Sequence, residues 1–86
     1  MPTIATVGGI AIVMHYNDHA PPHFHAKQAG IEFRVRIADL KLMRGDTAPT
    51  ALEHTVRDWA QQHQQELAVC WARVQSGQHP GRILGP

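Results

Sequence analysis

Residues 23–37 constrain the fold of this chain more than any other stretch. Ile31, Phe33, Val35 and Ile37 alternate with Glu32, Arg34 and Arg36, the period-two pattern of a half-buried strand. Just before it, His23, His25 and Lys27 alternate with Phe24 and Ala26, so a strand there sends the two sets to opposite faces. Ala29-Gly30 lies between the runs, and a two-residue hairpin turn at that point sets the register. Phe24 then faces Val35 and Ala26 faces Phe33 on the core side. On the outer side Lys27 faces Glu32, His25 faces Arg34 and His23 faces Arg36. Two His–Arg pairs side by side make a cationic ladder, which needs an anion, a carboxylate or neutral imidazole to relieve its repulsion.

The remaining elements are read around this hairpin. Thr3–Val7 is a β-branched run, and Gly8-Gly9 separates it from a strand over 10–16 with Ile10, Ile12, Met14 and Tyr16 on one face. Leu40, Leu42 and Arg44 alternate with Lys41 and Met43 in a weaker strand over 40–44. Pro49, and Thr50 with Glu53 at capping-box spacing, start a helix over about 49–76. Leu52, Val56, Trp59, Ala60, His63, Leu67, Cys70 or Trp71, and Val74 form its apolar stripe. Such a helix is roughly 39 Å long at 1.5 Å per residue, more than a small sheet needs. A bend near Gln61–Gln64 or a homodimer partner over the overhang resolves the excess. The tail over 77–86 is irregular, with Arg82-Ile83-Leu84 available as an edge strand. The expected architecture is a single α+β domain, residues 1–86, with a four- to five-stranded antiparallel sheet and one long C-terminal helix, straight or bent, packed on one face. Phe24, Phe33, Val35, Ile10, Ile12 and Met14 should meet Leu52, Val56, Trp59, Leu67 and Trp71 in the core.

Charge and cysteine usage narrow the classes. A formal net charge of +1 over 86 residues is too mild to announce a nucleic-acid binder by itself. Seven histidines against eight Lys and Arg make the binding of any anion pH-sensitive. The one cysteine, Cys70, precludes an internal disulfide and fits a reducing compartment. Ile4–Met14 is apolar, but it carries two glycines, is too short for a bilayer, and has no basic signal-peptide region before it. The expected location is the cytoplasm, away from membranes.

Function concentrates in Asp18–Ala26, DHAPPHFHA. Pro21 and Pro22 stiffen the approach and remove two backbone donors, so His19 is delivered to a defined place before the strand begins at His23. Asn17 and Asp18 supply turn chemistry at the mouth of this loop.

Tyr16-Asn17-Asp18-His19 followed one residue later by PPHFHA at 21–26, together with MPTI at the start, Ile37-Ala38-Asp39-Leu40, and Asp58-Trp59-Ala60 with His63 and Glu66-Leu67, resembles a family of small, mostly bacterial proteins, the domain-of-unknown-function family four-one-six-zero. The match covers nearly the whole chain. The resemblance implies a short stand-alone protein, often encoded beside another small protein that is its candidate partner. It also implies a comparison with toxin–antitoxin modules and regulators, and it assigns no activity. His15 stands where relatives have an aromatic or other large residue.

Four roles fit the histidine surface. In a purely structural one, the imidazoles tie the proline loop to the sheet, with Asp18 holding one ring by its Nδ1–H. In the second, His23, His25, Arg34, Arg36 and Lys27, with Lys41 at the rim, recognise an anionic group, either nucleic-acid phosphate or a partner's carboxylate. In the third, His19 with His23 or His25 acts as an acid–base pair for metal-independent phosphodiester cleavage, oriented by Asp18, with Arg34 as stabiliser. In the fourth, Asp18, His19, His23 and His25 hold zinc or another divalent metal. The facing arginines oppose that last role, because no acidic cluster is visible to offset them. The expectation carried forward is a small binding module for an anionic group, not an enzyme and without a cofactor. Trp59 and Trp71 are expected core anchors, Cys70 an inert packing residue, and His54, His63 and His79 a solvated, a boundary and a tail residue.

Overall fold

The computed structural model describes residues 2–84; Met1 and the last two residues of the predicted tail, Gly85 and Pro86, lie outside the described residues. The fold class is α+β, as the patterning implied. Strands β1 (Thr3–Val7), β2 (Ile10–Val13), β3 (His23–Gln28) and β4 (Ile31–Arg36) form one antiparallel sheet in chain order, followed by helices α1 (Thr50–Gln62) and α2 (Gln64–Gln75). The β3–β4 register is the one expected from the alternation, from His23 opposite Arg36 to Gln28 opposite Ile31.

Both tight hairpins need a left-handed backbone at two successive residues. Gly8 and Gly9 supply it in the first (φ 54° and 81°), whereas the second uses Ala29 (φ 46°) before Gly30 (φ 84°). A Cβ in that region costs roughly 1–2 kcal/mol, and Ala29 is exposed, with no packing to compensate. Ala29→Asn should therefore raise stability by roughly 0.5–1 kcal/mol, since asparagine tolerates this conformation without the chain entropy of glycine. An upward shift of the urea midpoint at constant slope is the expected readout; an unchanged midpoint would show that the turn is unstrained.

The core joins Ile10, Ile12, Met14, Phe24, Ala26, Phe33 and Val35 from the sheet side to Val56, Trp59, Ala60, Leu67, Cys70, Trp71 and Val74 from the helices, with Leu52 partly buried against it. The Phe24 and Trp59 rings meet edge to face at 6.3 Å, a favourable arrangement for two aromatic quadrupoles. Among the described residues, no helix is long and apolar enough to cross a membrane.

Several boundaries differ from the expectations. The strand predicted over 10–16 ends at Val13 because the chain turns immediately afterwards, with the Asp18 amide donating to the His15 carbonyl (3.2 Å). The fifth strand, over 40–44, does not form; Leu40 takes a positive φ of 59°, and only a single bridge between Val35 and Leu42 remains. The single long helix is two, because His63 leaves helical geometry (φ −129°, ψ 21°). The Gln64 side-chain amide there donates to the Ile37 carbonyl (2.6 Å), which ties the break to the end of the sheet. The Thr50–Glu53 capping box is not made; the Glu53 carboxylate pairs with Arg57. The tail adds no strand at 82–84 but docks through Ile83, whose amide donates to the Ile4 carbonyl (2.7 Å).

Candidate metal centre

His23 and His25 leave β3 on the side opposite Phe24, yet they are only 4% and 7% exposed. Strand alternation alone would leave them in water. The loop after β2 returns over them, held by the Gln75 side-chain amide, which donates to the Asp18 carbonyl (3.0 Å). The Trp71 ring lies 5.3 Å from His23. Val13, the neighbour of His25 on β2, is buried beside it, and the His15 ring stands edge-on to His25 at 4.3 Å.

The polar contacts inside this enclosure are specific. His23 donates from Nδ1 to the Pro21 carbonyl (2.8 Å), which in the neutral ring leaves Nε2 with a lone pair 3.7 Å from Asp18 Oδ2. Two electron-rich atoms therefore face each other unless a proton or a cation lies between them. His25 has carboxylates at both ring nitrogens, Asp18 Oδ2 at 3.1 Å from Nε2 and Glu32 Oε2 at 3.1 Å from Nδ1. A carboxylate can only accept, so satisfying both takes a proton on each nitrogen or a cation in place of one. Asp18 Oδ2 also accepts the His15 backbone N–H (3.1 Å), closing the turn that carries it. Donor atoms of Asp18, His23 and His25 lie within 4.8 Å of one another, as do those of His15, His25 and Glu32. Burial, helped by neighbouring His25, lowers the pKa of His15 and favours its neutral ring.

The arginines do not form the open ladder that the register alone suggested. Arg34 grips Asp46 with Nε (3.0 Å) and Nη2 (2.8 Å), and its own amide donates to the same carboxylate (2.8 Å). Arg36 grips Asp39 in the same two-pronged way (3.0 and 2.6 Å). These bonds lower the Asp46 pKa and hold the Asp39 carboxyl down to about 2. Of the three reliefs foreseen for the ladder, carboxylates supply it. The Nε–Nη2 side of each guanidinium is thereby taken by a carboxylate, and the electrostatic objection to a dication loses its force because Asp18 and Glu32 face the imidazoles.

The other candidates fall into place around this cluster. Lys27 pairs with Glu32 at 3.9 Å, and Lys41 is exposed. His19 is exposed and stands outside both donor groups. Pro21 and Pro22, joined to the chain through a cis Ala20–Pro21 bond, contribute carbonyls; Pro22 O accepts the Ile37 amide (3.0 Å). Asp18 meets His25 through Nε2, not Nδ1 as expected for the structural role. His54 is exposed, His79 Nδ1 accepts the Gly81 amide, and His63 sits against Trp59 and Glu66. Cys70 is buried, and burial raises its thiol pKa, as befits a packing residue.

Glu32, His15, Trp71 and Gln75 were not singled out for this site by the sequence. Glu32 carried a readable signal, since it lies diagonal to His25 on the same face in the expected register. The contacts of Trp71 and Gln75 had none, being products of tertiary packing.

Compared with known proteins, residues 9–72 match the family model described as Domain of unknown function (DUF4160). No curated protein and no solved structure matches the chain. The matched span contains every residue of the cluster except the supporting Gln75.

Proposed function

Because the chain belongs to the DUF4160 family, we propose a function from the cluster lying within the family's matched span: binding of a divalent transition-metal ion by Asp18, His23 and His25. The observation that carries this reading is His23 Nε2 aimed at Asp18 Oδ2 at 3.7 Å, beyond a direct hydrogen bond, while its Nδ1–H is held by the Pro21 carbonyl. A backbone carbonyl that sets the tautomer and aims the other nitrogen is the usual support of a ligating histidine. Two imidazoles and one carboxylate suit zinc, iron(II) or nickel better than calcium or magnesium, which prefer oxygen alone. The enclosure of both histidines favours holding the ion over turnover of a large substrate. Anion recognition by His23, His25, Arg34, Arg36 and Lys27 is the weaker reading, because each guanidinium already grips a carboxylate.

Trp71 beside His23 offers a direct assay. Titration with Ni²⁺ or Co²⁺ should quench tryptophan fluorescence saturably, and Co²⁺ should develop visible absorption from nitrogen and oxygen ligands. His23→Ala should weaken the binding by at least the ~10–100-fold that follows loss of a mere supporting partner. Fluorescence and absorption that ignore all three metals, zinc being followed by competition with Co²⁺, would leave the imidazoles with the structural role only.

A further inference from the structure

Building on this metal-binding reading, we propose that His25 bridges two cations, one held with Asp18 and His23 and the second with Glu32 and His15. His25 has carboxylates from two different elements at its two nitrogens, Asp18 from the loop at Nε2 and Glu32 from β4 at Nδ1, each at 3.1 Å. The nitrogens point to opposite sides of the ring, so one ion cannot use both. Each side also has its own third donor. Asp18, His23 and His25 form one group and His15, His25 and Glu32 the other, and His25 is their only common member.

The simpler arrangement has Glu32 accept an N–H from His25 and merely orient it. That leaves His15 unexplained. Among the described residues its ring makes no hydrogen bond, yet it is half-buried and held edge-on to His25 at 4.3 Å. A bridge gives this ring a role as the third ligand on the Glu32 side. The balance is simple: each His25 nitrogen that takes a cation gives up any N–H proton it carries to solvent, with no change of oxidation state. Asp18, Glu32 and the resulting imidazolate together offset most of the charge of two dications.

The two positions differ in access. The side chains of Asp18 and His25 are 14% and 9% exposed, whereas that of Glu32 is 50% exposed. The Asp18 side is therefore the closed, tighter position and the Glu32 side the open, exchangeable one. Lys27 Nζ, 3.9 Å from Glu32 Oε1, competes with the second ion and has to swing away when it binds.

Cu²⁺ titration of the whole chain, followed by native mass spectrometry and electron paramagnetic resonance, tests the bridge. Two equivalents should bind, the second diminishing the resonance of the first through coupling across the imidazolate. Glu32→Gln, at a side chain that is half exposed, should keep the first equivalent and lose the second. Lys27→Gln should tighten the second severalfold. One equivalent with undiminished resonance would overturn the bridge and leave Glu32 an orienting partner, with the single-ion reading intact. Two equivalents with uncoupled signals would place the second ion elsewhere and also overturn it. No binding at all would remove both the bridge and the function proposed above.

Discussion

Phe24→Ala is expected to leave the chain largely unfolded at neutral pH. Phe24 is fully buried, faces Val35 across the hairpin and packs edge to face on Trp59, so it joins the sheet to the first helix at the centre of the core. Truncating a buried phenylalanine costs ~3–5 kcal/mol, the lost transfer energy and the cavity together. A chain of this size has about 4–13 kcal/mol in all, and small domains lie toward the lower end because they bury less of their surface. Far-ultraviolet dichroism under increasing urea is the check: the variant should start with its transition already under way, or nearly so. A midpoint close to that of the parent would mean that Trp59 and the helices close over the gap, and that the core is far more adaptable than its packing implies.

Asp18→Ala should produce the second largest loss, and one of a different kind. A single carboxylate there accepts the His15 amide, holds His25 Nε2 and faces His23 Nε2. Removing it undoes the turn that covers the outer sheet face and leaves buried imidazole nitrogens without their counterpart. Leaving a buried polar group without its partner costs ~1–3 kcal/mol; the loss at both imidazoles and at the turn together places this variant near ~3 kcal/mol. The same substitution should abolish the response to metal. In the parent, zinc at about one hundred times its dissociation constant should add ~2.7 kcal/mol, and in Asp18→Ala it should add nothing. Thermal melts with zinc and with a chelator separate the two effects. Stabilisation by zinc that survives in the variant would place the ion elsewhere. Asp39→Ala is the matched control, removing an equally well-formed but exposed carboxylate pair with Arg36. Its melting point should scarcely move, because surface pairs of this kind contribute little.

The parts of the structure that could be read from the chain are those whose causes are local. Alternation on both sides of Ala29-Gly30 was enough for the β3–β4 register, because a slip of one residue would have turned Phe24, Phe33 and Val35 to the outside. The apolar stripe from Leu52 to Val74 likewise identified the helical face in the core. What escaped depended on segments far apart in sequence. Alternation assigned His23 and His25 to the outer face but said nothing of what would cover it; that cover comes from the loop carrying Asp18 and from Trp71 and Gln75. Which carboxylates relieve the arginine ladder escaped for a similar reason. Asp39 and Asp46 reach back to Arg36 and Arg34 only because the chain after β4 turns back along the strand. The helix break was foreseen as one of two solutions to an overlong helix. Its position at His63 followed from Gln64 meeting the end of the sheet.

The failed fifth strand has a consequence beyond topology. Residues 41–43 run beside β4 without forming a regular ladder, but the Arg36 amide donates to Lys41 O (2.9 Å), the Met43 amide donates to Arg34 O (3.0 Å), and Leu42 bridges Val35. At the opposite margin, Ile83 spends its amide on Ile4. Irregular chain thus occupies hydrogen-bonding positions at both borders of a small, β-branched sheet, where another molecule would otherwise find a template for pairing. Protection against edge-to-edge polymerisation is built from the very segments that periodicity took for additional strands.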